Sequence, residues 1–179
     1  VSFINRVNNI DSIFFNEFYP YIIQFKDFDY DTLEGLARMN LLPKDKLVEW
    51  AISSVSGLEI HSEKGKDFSD NSDCKTVVSQ ARITGSSKYA RWTNSFKVSN
   101  ISSKIGALRV VAYNKVPEKF HYFYIPNQAF KSCKNCLEIN IEQVSLKQEP
   151  NYCFNGIRTR DFKWWNFECS SFEELCKIK

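Results

Sequence analysis

A chain of 179 residues, 43% hydrophobic and 25% charged, has the size of about one domain and the composition of a folded one, which excludes disordered, collagen-like and low-complexity classes. Aromatic residues reach 15%, enough for a sizeable core with aromatic surface to spare. No run of ~18 uncharged apolar residues is present, so no membrane span is expected.

Residues 2–25 read as an aromatic-rich helical opening interrupted at Pro20. Asp31 is the expected N-cap of a short helix running to about Met39. Residues 44–55 form a firmer helix, because Leu47, Val48, Ala51, Ile52 and Val55 make one apolar stripe, and Gly57 ends it. Leu58 to His61 is a short strand candidate, and Cys74 to Ile83 a longer one rich in β-formers. Residues 84–104 read as a long polar excursion. Ala107 to Tyr113 and Phe120 to Ile125 are the clearest strands and suit an antiparallel hairpin; Leu137 to Val144 is a weaker strand. Ser171 with Glu174 is a capping-box pattern opening a short helix. The expected fold class is α/β in the α+β sense: a central mixed β-sheet flanked by helices, in one domain over 1–179. Its parts are a helical stretch 1–56, the sheet and excursion 57–125, and a C-terminal part 126–179.

The net charge is only +3, but it is zoned. Residues 1–73 carry 13 acids and 7 bases, whereas residues 74–117 carry 8 bases and no acid. A solvated face with a gap in its acids is one explanation. A surface kept free of negative charge because it meets a polyanion is the sharper one. Within the zone, Lys88, Lys97 and Lys104 suit phosphates, Arg82, Arg91 and Asn94 suit base edges, and Trp92 suits stacking or wedging.

The six cysteines are Cys74, Cys133, Cys136, Cys153, Cys169 and Cys176. The first residues show no basic stretch followed by an apolar one, so a cytoplasmic, reducing location and free thiols are expected. Cys133 and Cys136 form one CxxC, with no second tight pair to complete a zinc signature. His61 and His121 fall in no metal-ligand pattern and read as strand histidines. Glu49 lies on the helix ahead of the acidic cluster, opposite its apolar stripe, and reads as a solvated side chain. Trp164-Trp165-Asn166-Phe167 reads as core or as a dimer contact. No phosphate-loop, dinucleotide, nucleophile-elbow or HExxH motif is present, so no nucleotide cofactor is expected.

The chemistry-bearing segment is Gly65-Lys66-Asp67-Phe68-Ser69-Asp70-Asn71-Ser72-Asp73-Cys74-Lys75-Thr76. Residues i and i+2 of a strand share a face, so Asp73 and Lys75 project together and Cys74 points away. A turn ahead of them can fold Asp67 back onto the same edge. Converging carboxylates repel unless a cation lies between them, and oxygen ligands without His or Cys suit Mg²⁺. A polar turn with Asx-type backbone bonds is the plainer reading of the same aspartates.

This segment resembles the PD-(D/E)xK nuclease superfamily, the fold group of many type II restriction endonucleases. Asp73-Cys74-Lys75 matches the D/E-x-K on one strand, and Asp67 matches the upstream acid, with Lys66 where the family has proline. Glycine, a polar residue, Asp, a short turn and D/E-x-K-T/S also occur in this order in the compact version of mismatch-repair nicking endonucleases. The resemblance implies a restriction-endonuclease-like fold and Mg²⁺-dependent, sequence-specific cleavage of double-stranded DNA by a homodimer. It implies Asp67 and Asp73 as metal ligands, Asp70 as the alternative ligand, and Lys75 as the catalytic lysine. Two other readings stand beside it: a non-catalytic DNA-binding module, zinc-stapled through Cys133 and Cys136, and a toxin-type nuclease acting on RNA.

Overall fold

The computed structural model describes residues 10–22, 29–39, 41–61, 66–84, 87–92, 95–97, 106–115, 118–130, 138–142, 153–154 and 164–179. They fall into two units, Val1–Ile60 and His61–Lys179. The first holds three helices and the second the strands, so the class is α+β.

Helix α1 (Ile10–Ile22) continues through Pro20 and buries Phe14, Phe15, Phe18 and Ile22 completely. Each contributes roughly 1.5–3 kcal/mol of burial. Phe15 and Tyr19 lie against Tyr30, whose ring is 4.8 Å from that of Tyr19 at 90°. That cluster joins α1 to α2 (Tyr30–Arg38). The cap of α2 is Asp29, not Asp31: Asp29 Oδ1 accepts the Thr32 amide at 2.8 Å, which leaves Asp31 in the first turn. Both aspartates suit a helix start, and the earlier one sits where the chain enters. Helix α3 (Lys44–Ser56) buries Leu47, Val48, Ala51 and Ile52, as the stripe requires, with Val55 half-buried. It ends at Gly57, whose φ of 74° lies in the left-handed region and whose amide bonds Ser53 O at 2.9 Å. The expected strand at Leu58 to His61 reduces to an isolated bridge at Ile60.

In the second unit a five-stranded mixed sheet has the order β2-β1-β4-β5-β8. Strand β1 (Ser72–Thr84) runs parallel to β4 (Ala107–Lys115), in the register Asp73↔Leu108, Cys74↔Arg109 and Lys75↔Val110. Strand β5 (Glu118–Pro126) closes the expected hairpin with β4, and the two-residue β8 (Glu168–Cys169) adds to its far side. Every residue of β4 from Ala107 to Asn114 is buried, the continuous apolar run of a central strand interrupted at Arg109 and closed by Asn114.

The polar excursion at 84–104 is a correction. Strand β1 runs on to Thr84 and turns back as β2 (Ser87–Trp92), pairing Gln80 with Arg91 and Arg82 with Tyr89. The ribbon's Thr, Val, Ile, Tyr and Trp are β-formers, and they carry Ser, Lys and Arg along even where no apolar alternation announces a strand. A second, three-stranded sheet joins β3 (Ser95–Lys97), β6 (Glu138–Glu142) and β7 (Cys153–Phe154), of which only β6 was foreseen. A short helix α4 (Asn127–Phe130) follows β5. The Trp164–Phe167 segment is one turn of 3₁₀ helix. Helix α5 (Phe172–Lys177) opens on the expected cap, Ser171 Oγ accepting the Glu174 amide at 3.1 Å. Glu174 itself reaches back to the amide and hydroxyl of Ser170, one residue beyond the usual box partner. Phe172 sets α5 against Tyr122 of β5, with the rings 5.7 Å apart. Among the described residues, no helix is long and apolar enough to cross a membrane.

Candidate active site

The site begins with the turn ahead of β1. The Asn71 amide bonds Phe68 O at 3.0 Å, closing a four-residue turn, and Asn71 has a φ of 65°. Asn tolerates the left-handed region better than other side-chain-bearing residues. The chain then doubles back, so that Ser72 O accepts the amides of both Asp67 and Phe68 at 3.1 and 3.2 Å. Fully buried Phe68 anchors the fold-back. Gly106, just before β4, bonds Asn71 O at 2.8 Å, and a Cβ there would stand 3.3 Å from Asp70 O. The turn and the start of β4 therefore meet backbone to backbone.

This path carries Asp67 to the edge where Asp73 emerges. One Asp67 oxygen, Oδ2, accepts the Cys74 amide at 2.7 Å, and the Asp67 carboxyl hydrogen-bonds the side chain of Asp73. Asp73 also accepts from Lys75 Nζ at 2.6 Å. The strand alternation thus places Asp73 and Lys75 on one face as expected, and Cys74 is buried. Burial of Asp73 first, and the hydrogen bond to Asp67 second, push its carboxyl up to about 6, against the pull of Lys75. Burial disfavours the Lys75 charge, but Asp73 and Asp67 outweigh it and hold the ammonium above its ordinary value. At neutral pH the site therefore holds two carboxyls and one ammonium, with the ammonium a third exposed.

Asp70 has a different occupation. Its Oδ1 accepts the amide and the hydroxyl of Ser72 at 2.9 and 2.5 Å, and its Oδ2 accepts Arg109 NH2 at 2.7 Å. Burial opposes its ionisation, but the Ser72 and Arg109 hydrogen bonds, with the guanidinium charge, hold its carboxyl below the usual range. Of the two candidates for first acid, Asp67 is the one brought to Asp73 and Lys75. Arg109, one of the eight bases of the acid-free zone, is wholly buried and so lies off its surface. It sits over the Tyr124 ring at 5.0 Å and also donates to the carbonyls of Leu175 and Ile178. Its only sequence signal is that it interrupts an otherwise apolar strand.

The donor set fits a hard cation. Two oxygen-bearing side chains held together against their own repulsion suit Mg²⁺, which is commonly bound by one or two carboxylates and keeps several waters. Among the described residues, no group of three or more His, Cys, Asp or Glu side chains gathers.

The expected DNA-facing residues are placed only in part. Arg82 lies on β1, Lys88, Arg91 and Trp92 on β2, and Lys97 on β3; their side chains fall outside the described ones. Asn94, Lys104, Cys133 and Cys136 lie outside the described residues altogether. Cys74, Cys169 and Cys176 are buried thiols outside any disulfide. Burial pushes Cys169 and Cys176 up to about 11 and 12, which makes them inert packing residues. His121 is a buried strand histidine, its Nδ1 2.8 Å from Glu168 Oε1, and His61 is exposed. Glu49 corrects the expectation of a solvated side chain: it is buried and bonded to Lys46 at 2.7 Å. Compared with family models, with curated proteins and with solved structures, the chain finds no match in any of the three.

Proposed function

We propose that this protein is a Mg²⁺-dependent endonuclease of the restriction-endonuclease-like fold, cutting phosphodiester bonds in duplex DNA at a specific sequence as a homodimer. One observation carries the reading. The turn at 67–72 brings the Asp67 and Asp73 carboxyls together beside the Lys75 ammonium, at the mouth of a parallel strand pair. A salt bridge alone does not call for a second carboxyl beside the buried one, whose ionisation it makes harder. A phosphodiesterase gives it a purpose, because a divalent ion between the two carboxyls offsets their repulsion.

Asp67 and Asp73 would hold the Mg²⁺. Bound there, it would supply charge neutralisation to the phosphate and acidity to a water. Lys75 remains protonated beside two carboxyls, so its part is that of a cation: it orients the attacking water and faces charge growing on the phosphate oxygens. The Cys74 amide holds Asp67 in one rotamer. The run from Cys74 to Pro117, without an acid, supports a polyanion approaching next to the site.

The test is a plasmid digest with purified protein, with and without Mg²⁺. Discrete bands that require Mg²⁺ and disappear in Asp67→Ala support the proposal. A smear, or preferential loss of RNA, moves the reading to a toxin-type nuclease. DNA retained in Ca²⁺ but never cut with any divalent ion moves it to a binding module.

A further inference from the structure

We infer that Arg109 is a positioning residue of this site: a buried guanidinium that holds the turn through Asp70 and Ser72, and with it the mutual placement of Asp67 and Asp73. The inference rests on the reading of Asp67, Asp73 and Lys75 as the reacting centre. Arg109 lies on the opposite side of the sheet from that centre, since it pairs with Cys74 in the parallel register. It touches neither acid, so any influence it has passes through other groups.

Those groups form a continuous chain. Arg109 Nε donates to Ser72 Oγ at 3.1 Å, and NH2 donates to Asp70 Oδ2 at 2.7 Å. Asp70 Oδ1 closes the ring by accepting both the amide and the hydroxyl of Ser72. Ser72 is therefore clamped from its side chain and its amide at once. Its carbonyl in turn accepts the Asp67 amide, and the next residue along the chain is Asp73. A movement of Ser72 shifts both acids. Arg109 is itself fixed from behind: NH1 donates to Leu175 O and NH2 to Ile178 O at 2.8 Å. These carbonyls at the end of α5 lack a partner further along the helix, and a cation is the natural group to satisfy them. The last helix and the metal-side turn thus share one side chain.

The energetics point the same way. A buried ion pair is weak evidence for stability, because desolvation consumes most of its Coulombic gain and an apolar replacement of both partners is often neutral or better. What such a cluster gives is directional: four hydrogen bonds from one planar group leave Ser72 one position. Outer partners that orient metal-ligating carboxylates commonly matter by about 10- to 100-fold in metal affinity.

The test uses Mn²⁺, which suits the same oxygen ligands, in calorimetric titrations of the full chain, with the Cys74 amide followed by NMR as a readout that needs no catalysis. The variants are Ser72→Ala, which deletes one hydroxyl, and Arg109→Met combined with Asp70→Asn, which removes the cluster without stranding a buried charge. Phe14→Leu, in the core of the first unit, is the control for lost stability alone. The expected result is about tenfold weaker Mn²⁺ binding in the double variant and a smaller loss in Ser72→Ala. The Cys74 amide should also shift and lose exchange protection as Asp67 is released, while Phe14→Leu leaves both readouts unchanged. Wild-type protein that binds Mn²⁺ and cuts DNA, with folded variants that bind within twofold of it and show the same Cys74 amide, overturns the positioning role alone. If the double variant does not fold, Ser72→Ala decides by the same criteria. Wild-type protein that neither binds Mn²⁺ nor cuts DNA overturns the nuclease reading, and this inference with it.

Discussion

Asp73→Asn should stabilise the metal-free protein at neutral pH and should not do so in mild acid. Asp73 is 4% exposed, and burial first, with the Asp67 carboxyl beside it second, pushes its carboxyl from 3.8 up to about 6. The folded state thus holds this proton more tightly than the unfolded chain does. The contribution of this one carboxyl is greatest below 3.8, falls as pH rises towards about 6, and is level above that. At ~1.4 kcal/mol per pH unit the loss reaches up to roughly 3 kcal/mol, a large part of a typical total of about 5–15 kcal/mol. Asparagine has nearly the same shape, still accepts from Lys75, and can donate to Asp67, but it has no charge to desolvate. Urea unfolding in EDTA at pH 4.5, 5.5, 6.5 and 7.5 measures the difference between the two proteins. Its change across that range is the quantity predicted; the Lys75 ion pair, which exists only where Asp73 is ionised, is already counted in the value of about 6. A difference that stays flat with pH, or that favours wild type more at pH 7.5 than at 4.5, refutes the reasoning. Added Mg²⁺ should then restore stability to wild type and leave the variant unmoved.

Lys75→Ala should lower single-turnover cleavage by at least three orders of magnitude, about 4 kcal/mol, while DNA binding in Ca²⁺ persists. Cys74→Ala should cleave normally, because its side chain lies on the other face. DNA affinity should fall with salt at a log–log slope of about −4 or steeper if roughly five phosphates are neutralised; a flat response would remove the basic zone as a DNA face, and Arg109→Met with Asp70→Asn should leave the slope unchanged. Gly57→Ala should cost about 1 kcal/mol in thermal unfolding, since the left-handed φ of 74° strains a side chain even though the space is open.

The parts of this fold that were legible in the sequence are those where one local pattern dominates. The α3 stripe, the β4–β5 hairpin and the Ser171 cap each follow from periodicity or a two-residue signature, and the structure agrees with them. The Asp73–Lys75 pair was legible for the same reason, since strand alternation alone puts the two together. The parts that were not legible depend on distant partners. Nothing near Arg109 in sequence announces Asp70, Leu175 or Ile178, which lie 39, 66 and 69 residues away. Without that partner, Asp70 and Asp67 read as equivalent acids in one turn. The β1–β2 ribbon was missed because its polar residues show no period, and register there is set by the pairing itself.

The two aspartates that flank Ser72 should respond to pH in opposite directions, and this contrast tests the division of labour between them. Asp70 meets an opposite charge and three hydrogen-bond donors, so its carboxyl is held below the ordinary value. Its contribution to stability is fully present above 3.8 and is lost as pH falls through the lowered folded value. Asp73 meets a like charge in a buried place, so its ionisation opposes folding in the window between 3.8 and about 6. Asp70→Asn should therefore weaken the protein at pH 5 and above, by about 1–3 kcal/mol for a charged hydrogen-bond partner removed from a buried guanidinium. The deficit should shrink towards pH 3, where wild type begins to lose the same charge. The Asn variants at 70 and 73 then give mirrored curves: one a deficit that grows with pH, the other a gain that grows with pH. Curves of the same sign would mean that both acids do the same job, and the assignment of Asp67 with Asp73 to the metal and Asp70 to the scaffold would fall.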